Sequence, residues 1–208
     1  MNKHSDLSKI TQITNNIFLS GICPLKMDII KKLNIKYILS CVDRNYIAQI
    51  HNQIIISNPN ITILYLPYED VIDQNLWQKN NNNIEILKYT TSTAEYDIVA
   101  KQLTLYQNKP MIEIAYHFIN NAIVANENIL IHCMAGVSRS VSMTVYFLMK
   151  KYFLTFESAM QVIKSKRSIA NPNNSFKLQL VQYQTKRASF NESDANQLIL
   201  YIKQIKDN

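Results

Sequence analysis

Ile129-Leu130-Ile131-His132-Cys133-Met134-Ala135-Gly136-Val137-Ser138-Arg139-Ser140 decides how this chain is read. The run Ile129–His132 is apolar and β-branched, too short for a helix, and reads as a strand. Residues 139–152 are apolar almost all round, as in a helix buried within a core. A strand feeding a helix through a tight turn aims the Cys133 sulfur along a helix start, where unpaired amides and the dipole favour negative charge. A thiolate is stabilised there and is available as a nucleophile near neutral pH. Successive amides over residues 134–139 can wrap the oxygens of a phosphate. Arg139 closes that cradle as a planar fork binding two oxygens at once, which a lysine could not do. Gly136 supports the reading, because the whole chain holds only 2 glycines and one falls in this turn. The plainer alternative is an inert, buried cysteine at a strand end.

Outward from the turn, residues 13–19, 36–42 and 61–66 read as further short strands, the last stopped by Pro67. Pro24 opens a helical segment with Leu25, Ile29, Ile30 and Leu33 apolar. Pro110 starts a helix whose Met111, Ile114, Ala115, Phe118, Ala122 and Ile123 share a face. Thr155 can cap a helix turning Ala159, Val162 and Ile163 inward, and another follows Pro172 with Phe176, Leu180 and Tyr183 aligned. The fold class is therefore α/β: a central, mainly parallel twisted sheet of about four to five strands flanked by helices. Residues 1–187 form one unit, and 188–208, with Leu198, Tyr201, Ile202 and Ile205 apolar, form a C-terminal helical extension. Residues 73–108 fit the scheme poorly. They are polar, carry the Asn80–Asn83 run, show little periodicity and read as a functional or mobile loop.

Bulk properties narrow the class. A chain of 208 residues with 47% hydrophobic content is sized for one core. No apolar run is long enough to cross a bilayer, and the polar stretch Met1–Gln12 has no secretory h-region. Three cysteines, an odd number without metal-ligand spacing, suit a reducing compartment, cytoplasmic or nuclear. Cys23 and Cys41 are expected to be small core residues. The net charge of +7 favours phosphorylated or polyanionic partners, but its scatter along the chain does not favour a nucleic-acid site. His4, His51 and His117 stand alone in the sequence and read as surface or helix-face residues.

The segment His132–Ser140 matches the HCxxGxxR[S/T] signature of the protein tyrosine phosphatase superfamily. Over about residues 11–185 the chain resembles the small single-domain dual-specificity phosphatases, a type also found in viruses. The likeness rests further on ITNNIFLSG (13–21), ITILYLPYED (61–70) and RSIANPNNSFKLQL (167–180). That resemblance implies Cys133 as the nucleophile, Arg139 and residues 134–138 (Met134, Ala135, Gly136, Val137, Ser138) as the phosphate cradle, and Ser140 as the group that steadies the leaving thiolate. His132 would orient Cys133 and favour its ionisation. No metal or cofactor is implied, since both chemical steps run on side chains.

The match at Leu66-Pro67-Tyr68-Glu69-Asp70 places the general acid at Asp70. Asp70 precedes Cys133 by 63 residues (133 − 70), about twice the family's usual separation, with the 73–108 insertion accounting for the excess. Asp73 and Asp97 remain rivals. Arg167, Asn173 and Phe176 match the family's RxxxxPNxxF pattern and read as a brace behind the loop. Trp77 could cover the pocket or simply pack. Uncharged residues at loop positions 134, 135, 137 and 138 argue against a phosphoinositide substrate. A shallow pocket admitting phosphoserine, phosphothreonine and phosphotyrosine of protein substrates is expected. The alternatives are an RNA 5′-phosphatase on the same fold and a phospho-binding pseudophosphatase.

Overall fold

The structure, a computed structural model, describes residues 7–81, 83–89 and 93–186. Six strands form one sheet: β1 (Thr11–Gln12), β2 (Ile17–Ser20), β3 (Ile35–Ser40), β4 (Thr62–Tyr65), β5 (Glu85–Lys88) and β6 (Asn128–His132). They lie in the order β1-β2-β6-β3-β4-β5. The four inner strands are mutually parallel, and the two edge strands run antiparallel to their neighbours. Parallel strands need covered faces, and their sequences are accordingly continuous apolar runs. Helices α1 (Met27–Lys32) and α2 (Ala48–Ser57) belong to one face. There Phe18, Ile38, Ile63 and Leu130 pack with Ile30, Ile54 and Ile55. On the other face Leu19, Leu39, Leu64 and Ile131 pack beneath α4 (Met111–Val124), α5 (Arg139–Tyr152), α6 (Phe156–Lys166) and α7 (Asn174–Lys186).

The expected helices form where their apolar spacing puts them. Thr155 caps α6, its hydroxyl accepting from the Ser158 amide at 3.1 Å, and α5 is buried from Ser140 through Met149. Trp77 packs edge-on against Tyr146, at 5.9 Å between centroids, and beside Tyr183 at 5.8 Å, so it is a packing residue. No helix among the described residues is long and apolar enough to cross a membrane. The expected C-terminal helix over 188–208 lies outside the described residues.

Several expectations are corrected. The 73–108 segment contains β5, which pairs with β4 at the sheet edge, and the 14-residue helix α3 (Thr93–Tyr106). Edge pairing and a helix lying along that edge bury little, so neither imprints a clear apolar period on the sequence. Helix α2 was not expected either: its Ile54-Ile55-Ile56 run suggests strand, and packing on the sheet overrides that propensity. Cys23 is exposed, while Cys41 is buried as expected. Of the histidines expected at the surface or on a helix face, His117 is exposed, and His51 lies on a face of α2 but is fully buried there.

Candidate active site

The parallel register carries three strand ends to one level. Ser20 of β2 and Ser40 of β3 flank His132 of β6, so the chain leaves the sheet at Cys133 beside two other strand termini. The turn 133–138 follows, and α5 starts at Arg139. Gly136 adopts φ +68°, a torsion that only glycine takes without strain. A Cβ there would stand 2.4 Å from the Ser20 carbonyl carbon and 2.6 Å from an Arg167 nitrogen. The second glycine serves the same turn. A Cβ on Gly21 would sit 2.9 Å from the Met134 carbonyl oxygen, and the neighbouring Ile22 amide donates to that oxygen at 3.1 Å. Both glycines of the chain are thus positions where backbone meets the loop too closely for a side chain.

The loop is braced from behind by Arg167, which is fully buried. Its guanidinium donates to the carbonyls of Gly136 at 2.7 Å and Ala135 at 3.2 Å, and to the Thr11 hydroxyl at 3.0 Å. Both carbonyls are thereby held on the Arg167 side of the turn. The amides of Met134, Ala135, Val137, Ser138 and Arg139 have no acceptor among the described residues and remain available to an anion.

Cys133 sits at the centre, 1% exposed. Its sulfur receives the Gly136 amide at 3.3 Å and lies 3.3 Å from the Ser140 hydroxyl. Cys41 is buried one residue beyond the paired Ser40, and its amide donates to the His132 carbonyl at 2.9 Å. Burial, followed by the neighbouring Cys133, pushes the Cys41 thiol well above its ordinary range, so Cys41 stays protonated.

Arg139 lies at the first turn of α5 and is anchored by one nitrogen, which donates to the Tyr68 carbonyl at 3.0 Å. The loop after β4 is thus tied to the cradle. Two residues on, an Asp70 carboxylate oxygen accepts from the Ser138 hydroxyl at 2.6 Å and from the Asn173 side-chain amide at 2.8 Å. The Ser138 hydroxyl in turn accepts from the Asn173 amide at 3.0 Å. Asp70 is exposed. Of the rivals, Asp73 lines a separate groove with Trp77, Gln179 and Tyr183, and Asp97 is an exposed residue of α3. Phe176 is buried in the core, and its amide donates to the Asn173 side chain at 2.8 Å. Among the described residues no cluster of histidine, cysteine and carboxylate side chains could hold a metal ion.

The structure therefore brings together Cys133, Arg139, Ser140, His132, the amides of 134–138 and Asp70. The tether of Asp70 to Ser138 and Asn173, and the Tyr68 carbonyl under Arg139, could not be read from sequence. The first joins residues 68 and 103 positions apart, and the second uses main chain.

Residues 17–186 match the dual specificity phosphatase catalytic domain. The chain belongs to that family. It is 58% identical over 205 residues to a protein of the Acanthamoeba polyphaga mimivirus named as a tyrosine-protein phosphatase, covering 98% of this chain and 97% of that one. A 69-residue stretch, 33% of this chain, is 44% identical to dual specificity protein phosphatase 1B of Arabidopsis thaliana, of which it covers 41%. The fold is shared with the human tyrosine phosphatase-like serine/threonine/tyrosine-interacting protein, at TM-score 0.61 and 18% identity over 88% of this chain and 99% of that one. It is shared also with the Yvh1 phosphatase domain of Chaetomium thermophilum, at TM-score 0.59 and 20% identity over 86% and 96%. Family membership makes the chain a protein phosphatase of the dual-specificity type.

Proposed function

We propose that the chain hydrolyses phosphotyrosine, phosphoserine and phosphothreonine in protein substrates through a phosphate carried on Cys133. The observation that supports this reading is the Cys133 sulfur in a turn whose Met134, Ala135, Val137, Ser138 and Arg139 amides have no acceptor among the described residues, with Arg139 at the helix start that follows. The oxygens of a phosphoryl dianion would take the free amides of 134–139 and the Arg139 fork. The sulfur attacks phosphorus as the ester P–O bond breaks, and the departing oxygen takes a proton from Asp70. In the second step Asp70 takes a proton from water, whose oxygen attacks phosphorus. The S–P bond then breaks, and the Ser140 hydroxyl, 3.3 Å away, donates to the sulfur that regains its charge.

Two tethers on one carboxylate oxygen support Asp70 in this role over Asp73 and Asp97. Its partners are a loop hydroxyl and the Asn173 brace, so acid and cradle move as one unit. Three free thiols suit a reducing compartment, cytoplasmic or nuclear. Residues 1–187 are assigned to the catalytic unit and 188–208 to an appended segment.

Turnover of an aryl phosphate by Cys133→Ser is expected to be undetectable, and Arg139→Ala should lose about a thousand-fold or more. Wild-type turnover in Cys133→Ser would remove the nucleophile assignment. Activity on triphosphate-ended RNA with none on phosphopeptides would move the substrate class to RNA.

A further inference from the structure

Directly behind the catalytic loop, one rung of the sheet is polar from side to side. Ser20 (β2), His132 (β6), Ser40 (β3) and Tyr65 (β4) are consecutive cross-strand partners, and Glu85 of β5 ends the row. The first four are at most 1% exposed. The rung two residues earlier on the same face, Phe18, Leu130, Ile38 and Ile63, is wholly apolar and packs as ordinary core. A polar rung inside a parallel sheet is costly unless its members bond to one another or to what covers them.

What covers it is α2, through His51. The His51 ring meets the His132 ring edge-on, with centroids 5.0 Å apart and planes at 80°. On its far side His51 Nδ1 shares a hydrogen bond with the Tyr65 hydroxyl at 2.8 Å. Ser20 Oγ, His51 Nε2 and both His132 ring nitrogens are buried without a hydrogen-bond partner among the described residues, so the His132 ring is held by packing, chiefly the edge-on contact with His51.

We propose that His51, held by Tyr65, is a positioning residue for the catalytic loop: it fixes the His132 imidazole and, through it, the peptide that carries Cys133. The inference rests on Cys133 as the nucleophile. It assigns His51 no contact with substrate. The charged groups around the relay are Arg139, which acts on His132 from the loop, and the Arg44–Glu85 pair, which acts on Tyr65 from the insertion side. Burial holds both imidazoles neutral, His51 down to about 2 and His132 to about 4, so each ring can donate from one nitrogen and accept at the other. The Tyr65 bond fixes the His51 ring, and the edge-on contact of that ring fixes the plane of the His132 imidazole, as an outer partner does for a histidine at a reacting centre. If that ring is released, the end of β6 and the Gly136 amide lose their fixed placement against the sulfur.

The test uses His51→Asn, which keeps a partner for the Tyr65 hydroxyl but withdraws the ring from His132, together with Tyr65→Phe. Each variant is compared with wild type by thermal midpoint, kcat and KM on an aryl phosphate, and the pH dependence of Cys133 alkylation by iodoacetate. His51→Asn is expected to raise the alkylation midpoint by about half a pH unit or more. It should lower kcat about ten-fold with KM within about two-fold, as for a small misplacement of a reacting group. Tyr65→Phe should move both in the same direction by less. A folded His51→Asn protein with wild-type midpoint and kcat overturns the proposal. Should the variants fail to fold, ¹⁵N-histidine spectra of the wild-type protein decide: His51 must be neutral, in one tautomer, and shifted when vanadate fills the loop. A His51 that titrates near its ordinary value, or ignores vanadate, overturns it as well. Loss of the nucleophile assignment itself would appear separately, as turnover in Cys133→Ser.

Discussion

The catalytic loop follows an inner strand and the 73–108 insertion adds an edge strand, and the two are built on opposite principles. In the loop nearly every position is over-determined: a positive-φ glycine, a second glycine under the Met134 carbonyl, a buried arginine brace and a thiol with fixed neighbours. In the insertion, β5 holds on by one antiparallel ladder to β4, and α3 turns Ile98 (56% exposed) and Leu105 (63% exposed) to solvent. A region shaped by backbone geometry tolerates no change of side-chain volume. One held by edge pairing tolerates many. The difference is that between storing strain for function and adding surface at an edge.

The loop is most sensitive at Gly136. Gly136→Ala forces a Cβ into the Ser20 carbonyl at a torsion that alanine resists, with the Arg167 brace blocking escape. The expected result is a stability loss of about 4 kcal/mol or more and turnover reduced beyond about a hundred-fold. Denaturant titration and aryl phosphate kinetics check it, and a near-wild-type alanine variant would mean that the loop is not held as described.

Acid acts behind the loop, through His51 and His132. The folded-state values of His51 and His132 lie below the unfolded value of 6.5, at about 2 and about 4. The unfolded chain therefore binds protons first, and stability falls as pH drops below about 6.5. At pH 5 each imidazole should cost about 2 kcal/mol, and the loss from His132 should level off near pH 4. Urea unfolding between pH 7 and 5 measures this, and His51→Asn should flatten the slope. A pH-independent midpoint contradicts neutral burial of both rings.

The smallest effect belongs to the insertion. Leu105→Gln on α3 should shift stability by less than about 0.5 kcal/mol and leave turnover unchanged. A large loss of either would show that α3 has a partner or contacts beyond those described.

The same contrast explains what could be read in advance. His132–Ser140 was legible because its chemistry demands rare residues at fixed spacing, and its strand and helix flank it with unbroken apolar runs. Asp70 was legible only with rivals, since nothing in the sequence shows that Ser138 and Asn173 reach the same carboxylate oxygen. The insertion reads as a loop because, among the described side chains of α3, Tyr106 and part of Leu103 join the core, too narrow a stripe to mark a period. For His51 the signal was present. Ile47, His51, Ile54 and Ile55 recur at helical spacing, and a histidine on that stripe had to be buried. The isoleucine run hid the helix and with it the residue.

In the proposed mechanism phosphate passes through the Cys133 sulfur. Rapid-quench mass spectrometry during turnover of an aryl phosphate tests it most directly. A phosphoryl group should be found on the peptide holding Cys133, forming before free phosphate appears, and should persist longer in Asp70→Asn, where the water-activating carboxylate is gone. Steady turnover with that peptide never phosphorylated, or with the adduct on another residue, would contradict the account.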